Sequence, residues 1–450
     1  MLKVHFGLKN YRAYRPSDAD YFEAAPAHWL VIPGMLALME NNRNNRGVKE
    51  RQVLSLSYGE IIVKAEEKLI GLVPMSFETY QLAMPGDIII RCMDLQNDKV
   101  SLRTGLVSDR GIITSAYLCL SAKEGFESRY IHYFLHFLDI SKAIYKLGSG
   151  LRQNLSFDDF KRLPVLKPPY SEQLLIADYL DQKSAQINQA IQIKERQIER
   201  LKERMQILIQ QAVTRGLDPT VPMKDSGVDW IDRVPAHWEV KPIMAVSDVI
   251  DPNPSHRNPE YVEEGFPFIS TQEFYGFDKI EIDTPRRVSE KTVAEQEARC
   301  QFQRGSLVFS RKGTIGAVRV LPEGVRLGIL DSLCVINPKC HVLPSFLFWA
   351  LSANYLEAQY GSILRGAALP QLSVGRVRSL KIILPPKAEQ EEISSYLRRE
   401  CSRLSEGLAI QGRQIVALKE YKATLINSAV TGRIKVPGVV EPDMLDIEVA

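Results

Sequence analysis

The chain has 450 residues, 45% of them hydrophobic and 25% charged, and 57 Lys and Arg against 54 Asp and Glu leave a formal net charge of +3. That balance suits a globular protein of roughly three folded units, and the small surplus of positive charge means any nucleic-acid surface must be local or shared with partners. No apolar run reaches the ~18 residues of a membrane span, and the scattered Cys92, Cys119, Cys300, Cys334, Cys340 and Cys401, with no CxxC pair, argue against a disulfide framework or zinc ribbon and for a reducing cytoplasm.

The opening MLKVHFGLKNYRAYRPSDAD has no basic stretch running into an apolar one, so no secretory leader is expected. Ser17, Asp20 and Tyr21 then precede the tetrapeptide PAHW at Pro26–Trp29. From Val31 to Lys167 the pattern is mixed. The stretch NNRNNRGVKER holds Asn41, Arg43, Asn44, Arg46, Lys49 and Arg51. Asn and Arg are the side chains that make paired hydrogen bonds to adenine and guanine edges, so these six are candidate DNA contacts. GDIIIR at Gly86–Arg91 reads as a buried strand after a glycine turn, and IHYFLHFLDISKAIYKL at Ile131–Leu147 as a helix with an apolar face. His132 and His136 stand four apart, which is metal-ligand spacing. Tyr133 sits where a zincin would need its glutamate and no third ligand is evident, so packed or solvated histidines are expected and no metal. Lys146, Ser149, Arg152 and Gln153 form a second polar, glycine-containing loop suited to a phosphate backbone.

LPVLK closes this segment as an extended stretch, and Pro168-Pro169 opens a helix. The string KPPY at Lys167–Tyr170 is related to one in adenine methyltransferases that begins with Asn or Asp. Lysine offers no acceptor for an exocyclic amine, so it is read as a proline-led helix start. Along that helix Leu180, Ile187, Ile191, Ile198, Leu201, Met205 and Leu208 follow alternating four- and three-residue steps, with Ser184 and Lys194 in polar slots. Such a seam marks a coiled-coil or helix-pair interface. Arg215-Gly216, Pro219 and Pro222 end the rod.

The chain then repeats itself. Ser226, Asp229 and Trp230 precede a second PAHW at Pro235–Trp238, and a second mixed segment spans Val240–Leu384. It contains GSLVFSR at Gly305–Arg311, a strand running into a loop with Ser310, Arg311, Lys312 and Thr314, and PSFLFWALSANYLEAQY, read as helical. Ser362 and Arg365 follow, and these six polar residues complete the candidate DNA contacts. KIIL and Pro385-Pro386 lead into a second rod whose seam is Leu397, Leu404, Leu408, Ile415, Leu418 and Leu425. Pro168–Thr214 and Pro385–Thr431 share 19 identities over 47 positions without a gap, too many for coincidence. No GxxxxGK, GxGxxG or GxSxG string offers a catalytic centre.

These readings give an α+β chain with an internal pseudo-twofold repeat. Residues 1–167 and 234–384 form two globular domains, 168–215 and 385–431 two long helices pairing antiparallel, 216–233 a linker and 432–450 a tail. The motifs SGVDWIDRVPAHWEV, LPPKAEQEEISSYL and SAVTGRI, together with the twofold plan, resemble the specificity subunits of type I restriction–modification systems. The resemblance implies that each globular domain is a target recognition domain reading one half of a split DNA site. It implies that the helices space the halves and dock two methyltransferase subunits, which restriction subunits then join. It further implies a cytoplasmic, non-catalytic chain that binds no cofactor, within a complex using S-adenosylmethionine, and ATP and Mg2+ for restriction. Two other readings fit the sequence alone: a duplicated coiled-coil scaffold that never touches DNA, and a diverged DNA methyltransferase or nuclease.

Overall fold

The computed structural model describes residues 7–442 except 18, 20, 66–76, 94, 96–101, 148–153, 254–258 and 365–370. The chain divides into two units, Met1–Ile193 with Gln414–Ala450, and Lys194–Arg413. Two long helices, Tyr170–Arg215 and Lys387–Val430, each contribute residues to both. Among the described residues no helix is long and apolar enough to cross a membrane.

The first unit is built on a four-stranded antiparallel sheet in the order Leu38–Glu40, Leu118–Ala122, Ile88–Ile90, Thr104–Leu106. Side chains alternate across the sheet, as the pleat requires. Ile88, Ile90 and Leu120 pack with Tyr130, Ile131, Phe134 and Leu138 of the helix Ser128–Ile140, while Ile89 and Cys119 pack with Leu54, Ala83 and Ile113 on the other face. The second unit repeats the plan with Ser247–Ile250, Leu333–Pro338, Leu307–Ser310 and Val318–Val320. There Leu307, Phe309 and Ile336 face Phe346 and Leu347, and Val308 and Val335 face Ile269 and Ile329. What differs is attached to this frame: the hairpin Leu54–Ser57/Glu60–Val63 in the first unit, and the strand Tyr261–Ile269 with the helix Glu290–Arg299 in the second.

Two helices are shorter than their apolar patterns suggest. The first stops at Ile140, because Lys142 adopts a left-handed conformation (φ 62°) and Ala143–Lys146 continues as a 3-10 turn. The second divides into Pro344–Leu351 and Asn354–Leu364, where Ser352 turns its hydroxyl back onto the Phe348 carbonyl (2.7 Å). Such back-bonding competes with helix continuation.

The repeated motifs meet one another. In the first unit Trp29 is fully buried and donates its indole N–H to Glu172 (3.1 Å), and the other oxygen of Glu172 lies 2.9 Å from His28 Nε2. In the second unit Trp238 donates to Glu389 (2.9 Å) and His237 lies 2.7 Å from its other oxygen. Each glutamate occupies the first turn of a long helix, where the helix dipole favours negative charge. The next residue closes the joint. Gln173 accepts from Glu127 N and donates to Pro168 O; Gln390 accepts from Leu343 N and donates to Pro385 O. The same tryptophans also abut the opposite helix ends. Gly432 (φ +70°) lies against Pro26 and Trp29, and Gly216 (φ +76°) against Trp238. PAHW, PPxxEQ and AVT are therefore the parts of one joint, made twice.

An antiparallel helix pair follows from these joints. In the first unit Leu180, Ile187 and Ile191 share a core with Leu425, Ile426 and Ala429, and half-buried Ile415 and Leu418 pack against it. In the second, Met205 and Ile209 share a core with Leu397 and Cys401, flanked by Leu208, Leu404 and Leu408. Ile198 and Leu201 are half-buried. The polar slots also pair: Lys194 donates to Gln411 (3.2 Å), and Lys422 to Asn188 (3.0 Å). Lys194 and Gln411 are equivalent positions of the repeat, and equivalents of two antiparallel copies can meet only at mid-length.

Candidate nucleic-acid interface

The six candidates of the first stretch lie where the chain leaves the sheet strand Leu38–Glu40. Asn41 continues the pairing through its N–H to Cys119 O (2.8 Å), and Asn44 bridges to Gln81. In the extended backbone alternate side chains share a face, which puts Asn41 and Arg43 together over Asp87. That carboxylate, 3% exposed, accepts from Asn41 Nδ2 (3.0 Å), Arg43 Nη2 (2.7 and 2.8 Å), Ser121 Oγ (2.7 Å) and Met84 N (2.7 Å). Asn41 also donates to Ser121. Buried Asn45 ties the following turn together through Glu50 and Phe77. That turn carries Arg46, Lys49 and Arg51, all exposed. Lys146 is exposed at the end of the 3-10 turn; Ser149, Arg152 and Gln153 lie outside the described residues.

In the second unit the candidates separate into two kinds. Ser310 and Arg311 are buried. Arg311 binds Asp251 (2.9 Å), Asp331 O (2.7 Å) and Leu372 O (3.3 Å), so its guanidinium fixes the loop from inside and is not presented to a duplex. Lys312 is half-buried on Asp331 (2.5 Å). Thr314 is exposed beside Gly313, whose φ is +68°. Ser362 falls in the helix Asn354–Leu364, and Arg365 lies outside the described residues.

The histidines of the Ile131–Leu147 stretch form a stacked pair with ring centres 5.7 Å apart. His136 is buried and 2.9 Å from Thr104 Oγ1. Burial pushes its pKa down to about 3 and that of His132 to about 4, with the Lys422 charge adding to both. Neutral imidazoles suit helix packing. Among the described residues no group of three or more His, Cys, Asp or Glu is placed to hold a metal ion.

Asp87, Ser121 and Glu172 were not singled out by sequence reasoning. Glu172 had a signal, since PAHW and PPxxEQ recur together. Asp87 had none, because its partners come from three separate stretches of the chain.

Comparison with known proteins agrees with this twofold frame. Residues 79–202 and 235–409 match the family model of the type I restriction modification DNA specificity domain. The type I restriction enzyme MjaVIII specificity subunit of Methanocaldococcus jannaschii is 22% identical over 339 residues, covering 73% of this chain and 75% of that protein. The MjaIX specificity subunit of the same organism is 25% identical over 171 residues, covering 37% of this chain and only 38% of that protein. A chain from a solved structure described as "Structural basis underlying complex assembly and conformational transition of the type I R-M system" superposes with a TM-score of 0.65 at 16% identity, covering 91% of this chain and 99% of that one. That last likeness concerns the fold, whereas the family model spans most of the sequence, in two blocks that fall one in each half of the repeat: the chain belongs to the type I restriction–modification DNA specificity family.

Proposed function

We propose that this chain selects the DNA sequence on which a type I restriction–modification complex acts and leaves the chemistry to its partners. Each globular domain, 1–167 and 234–384, reads one half of a bipartite site. The long helices, 168–215 and 385–431, fix the unread gap and dock two methyltransferase subunits, with restriction subunits joining that core. The complex methylates adenine with S-adenosylmethionine and cleaves with ATP and Mg2+. The observation that carries this reading is one frame built twice with different surfaces. The Trp–Glu joint and the four-stranded sheet recur in both units, while the attached hairpin, strand and helix do not. Exposed Arg46, Lys49 and Arg51 supply the sequence-independent attraction to phosphate. Ile193, Ile207, Ile410 and Val416, exposed on the long helices, supply apolar contact for docked subunits.

The test is genome-wide mapping of N6-methyladenine in cells that make the chain with its methyltransferase, against cells lacking the chain. A single split motif with a fixed gap, seen only with the chain, is expected. An active methyltransferase with no chain-dependent motif would favour the scaffold reading.

A further inference from the structure

Among the described residues, Arg43 is the one arginine of the candidate set that is both fixed and open. Asp87 accepts twice from Nη2, at 2.7 and 2.8 Å, and itself is buried and held by Ser121, Asn41 and Met84 N. Nε is enclosed without a partner among the described residues. About a third of the side chain, 36%, remains exposed, and among the described residues nothing accepts from Nη1. The guanidinium is thus locked in orientation with Nη1 left to donate outward. An arginine that merely attracts phosphate needs no such support, and the side chains of its neighbours Arg46, Lys49 and Arg51 are exposed and make no hydrogen bond or ion pair among the described residues. Base readout calls for a donor held in place by a second shell, and the two N–H bonds of Nη1 are what remains to donate to guanine O6 or N7.

The second unit sharpens the contrast. Asp87 follows Gly86 at the head of its sheet strand; the matching residue after Gly305 is Ser306, bonded to Asn337 (2.6 Å). Pro252 stands where the repeat offset of PAHW would place Arg43. Shared framework contacts are duplicated in this chain, and the Arg43–Asp87 pair is not. It therefore belongs to what makes the halves differ.

We propose that Arg43, buttressed by Asp87, reads a guanine in the half-site recognised by the first unit. This deepens the specificity reading above and rests on it. The experiment maps N6-methyladenine motifs for the full chain with its methyltransferase as wild type, Arg43→Ala and Arg43→Lys, the lysine variant keeping the charge beside Asp87. Purified complexes are then titrated with a synthetic duplex of the wild-type motif and with one carrying 7-deazaguanine at the position that changes. The expected result is a motif degenerate at one G·C pair of one half-site, with the other half-site and the gap unchanged. 7-Deazaguanine, which removes one charge-assisted hydrogen bond, should weaken wild-type binding roughly 10- to 150-fold and leave Arg43→Ala unaffected. An unchanged motif in Arg43→Ala would overturn the assignment. So would loss of methylation at all sites in both variants, which marks a scaffolding residue. A wild-type chain with no motif of its own would instead bring down the specificity reading, and this inference with it.

Discussion

Replacing either joint glutamate with alanine should weaken the chain unequally. Glu172 is buried and serves three groups: the Trp29 indole, His28 and the Tyr11 hydroxyl, all enclosed. Glu389 serves two, and its partner His237 has 44% of its side chain exposed, where water can replace the carboxylate. An enclosed donor left without its acceptor costs ~1–3 kcal/mol. Glu389→Ala orphans one such donor, the Trp238 indole, for about 1–3 kcal/mol. Glu172→Ala orphans two or three, for about 2–9 kcal/mol. Because a chain of two units need not unfold in one step, the assay is hydrogen exchange read by mass spectrometry. Peptides around residues 24–40 and 233–250 report the two joints separately. Glu172→Ala should raise exchange mainly in the first peptide, and more than Glu389→Ala raises it in the second. Equal effects, or a larger one for Glu389→Ala, would refute the argument that burial of the acceptor sets the strength of each joint.

Acid should loosen the first unit through His132 and His136. Both folded pKa values, about 4 and about 3, lie below the ordinary 6.5, so the unfolded chain binds the extra protons. Their contribution is whole above pH 6.5 and is lost as pH falls toward 4, by at most about 2 kcal/mol each at pH 5. Thermal melts of wild type and His136→Phe between pH 7 and 5 check this, and the variant should show the shallower fall. Gly432→Ala should cost more than Gly216→Ala. Both glycines have positive φ, but the added Cβ meets Pro26 at 2.4 Å in the first case and only the Trp238 ring at 3.2 Å in the second. The strained backbone costs each ~1–2 kcal/mol and the clash ~1–3 kcal/mol more, readable as a difference in midpoint. Exchanging Val31–Lys167 for a relative's segment should change one half of the methylated motif and leave the other. Inserting four residues beside Lys194 should lengthen the gap without changing either half, and a changed half-site would contradict the spacer role.

The frame was legible in the sequence because its instructions are short-range and written twice. Proline pairs, a seven-residue seam and a tryptophan motif at constant offset each have a local physical meaning. The breaks at Lys142 and Ser352 were not legible, since an apolar pattern continues through both and only the chain's path shows the turn. The candidate interface was legible as composition alone. Arg43 and Arg311 look alike in a string of letters, both basic and both near a sheet strand. One is held half-open on Asp87, and the other is 4% exposed among Asp251, Asp331 and Leu372. That distinction depends on residues 20 to 61 positions away in sequence.

The same separation bears on how such a chain can change what it reads. In each unit the joint uses Trp, Glu, Gln and a terminal glycine, all at or beside the ends of the long helices. The Arg43–Asp87 network instead spans the strands Leu38–Glu40, Ile88–Ile90 and Leu118–Ala122 at their margins, and no residue of the joint takes part in it. Contributions of groups without shared partners add nearly independently. Substitution at the margin of one sheet can therefore alter the surface offered to DNA while both joints and the helix pair keep their strength. A buried network reaching from the sheet margin into the joint would forbid this, because each new surface would then have to be reconciled with helix packing.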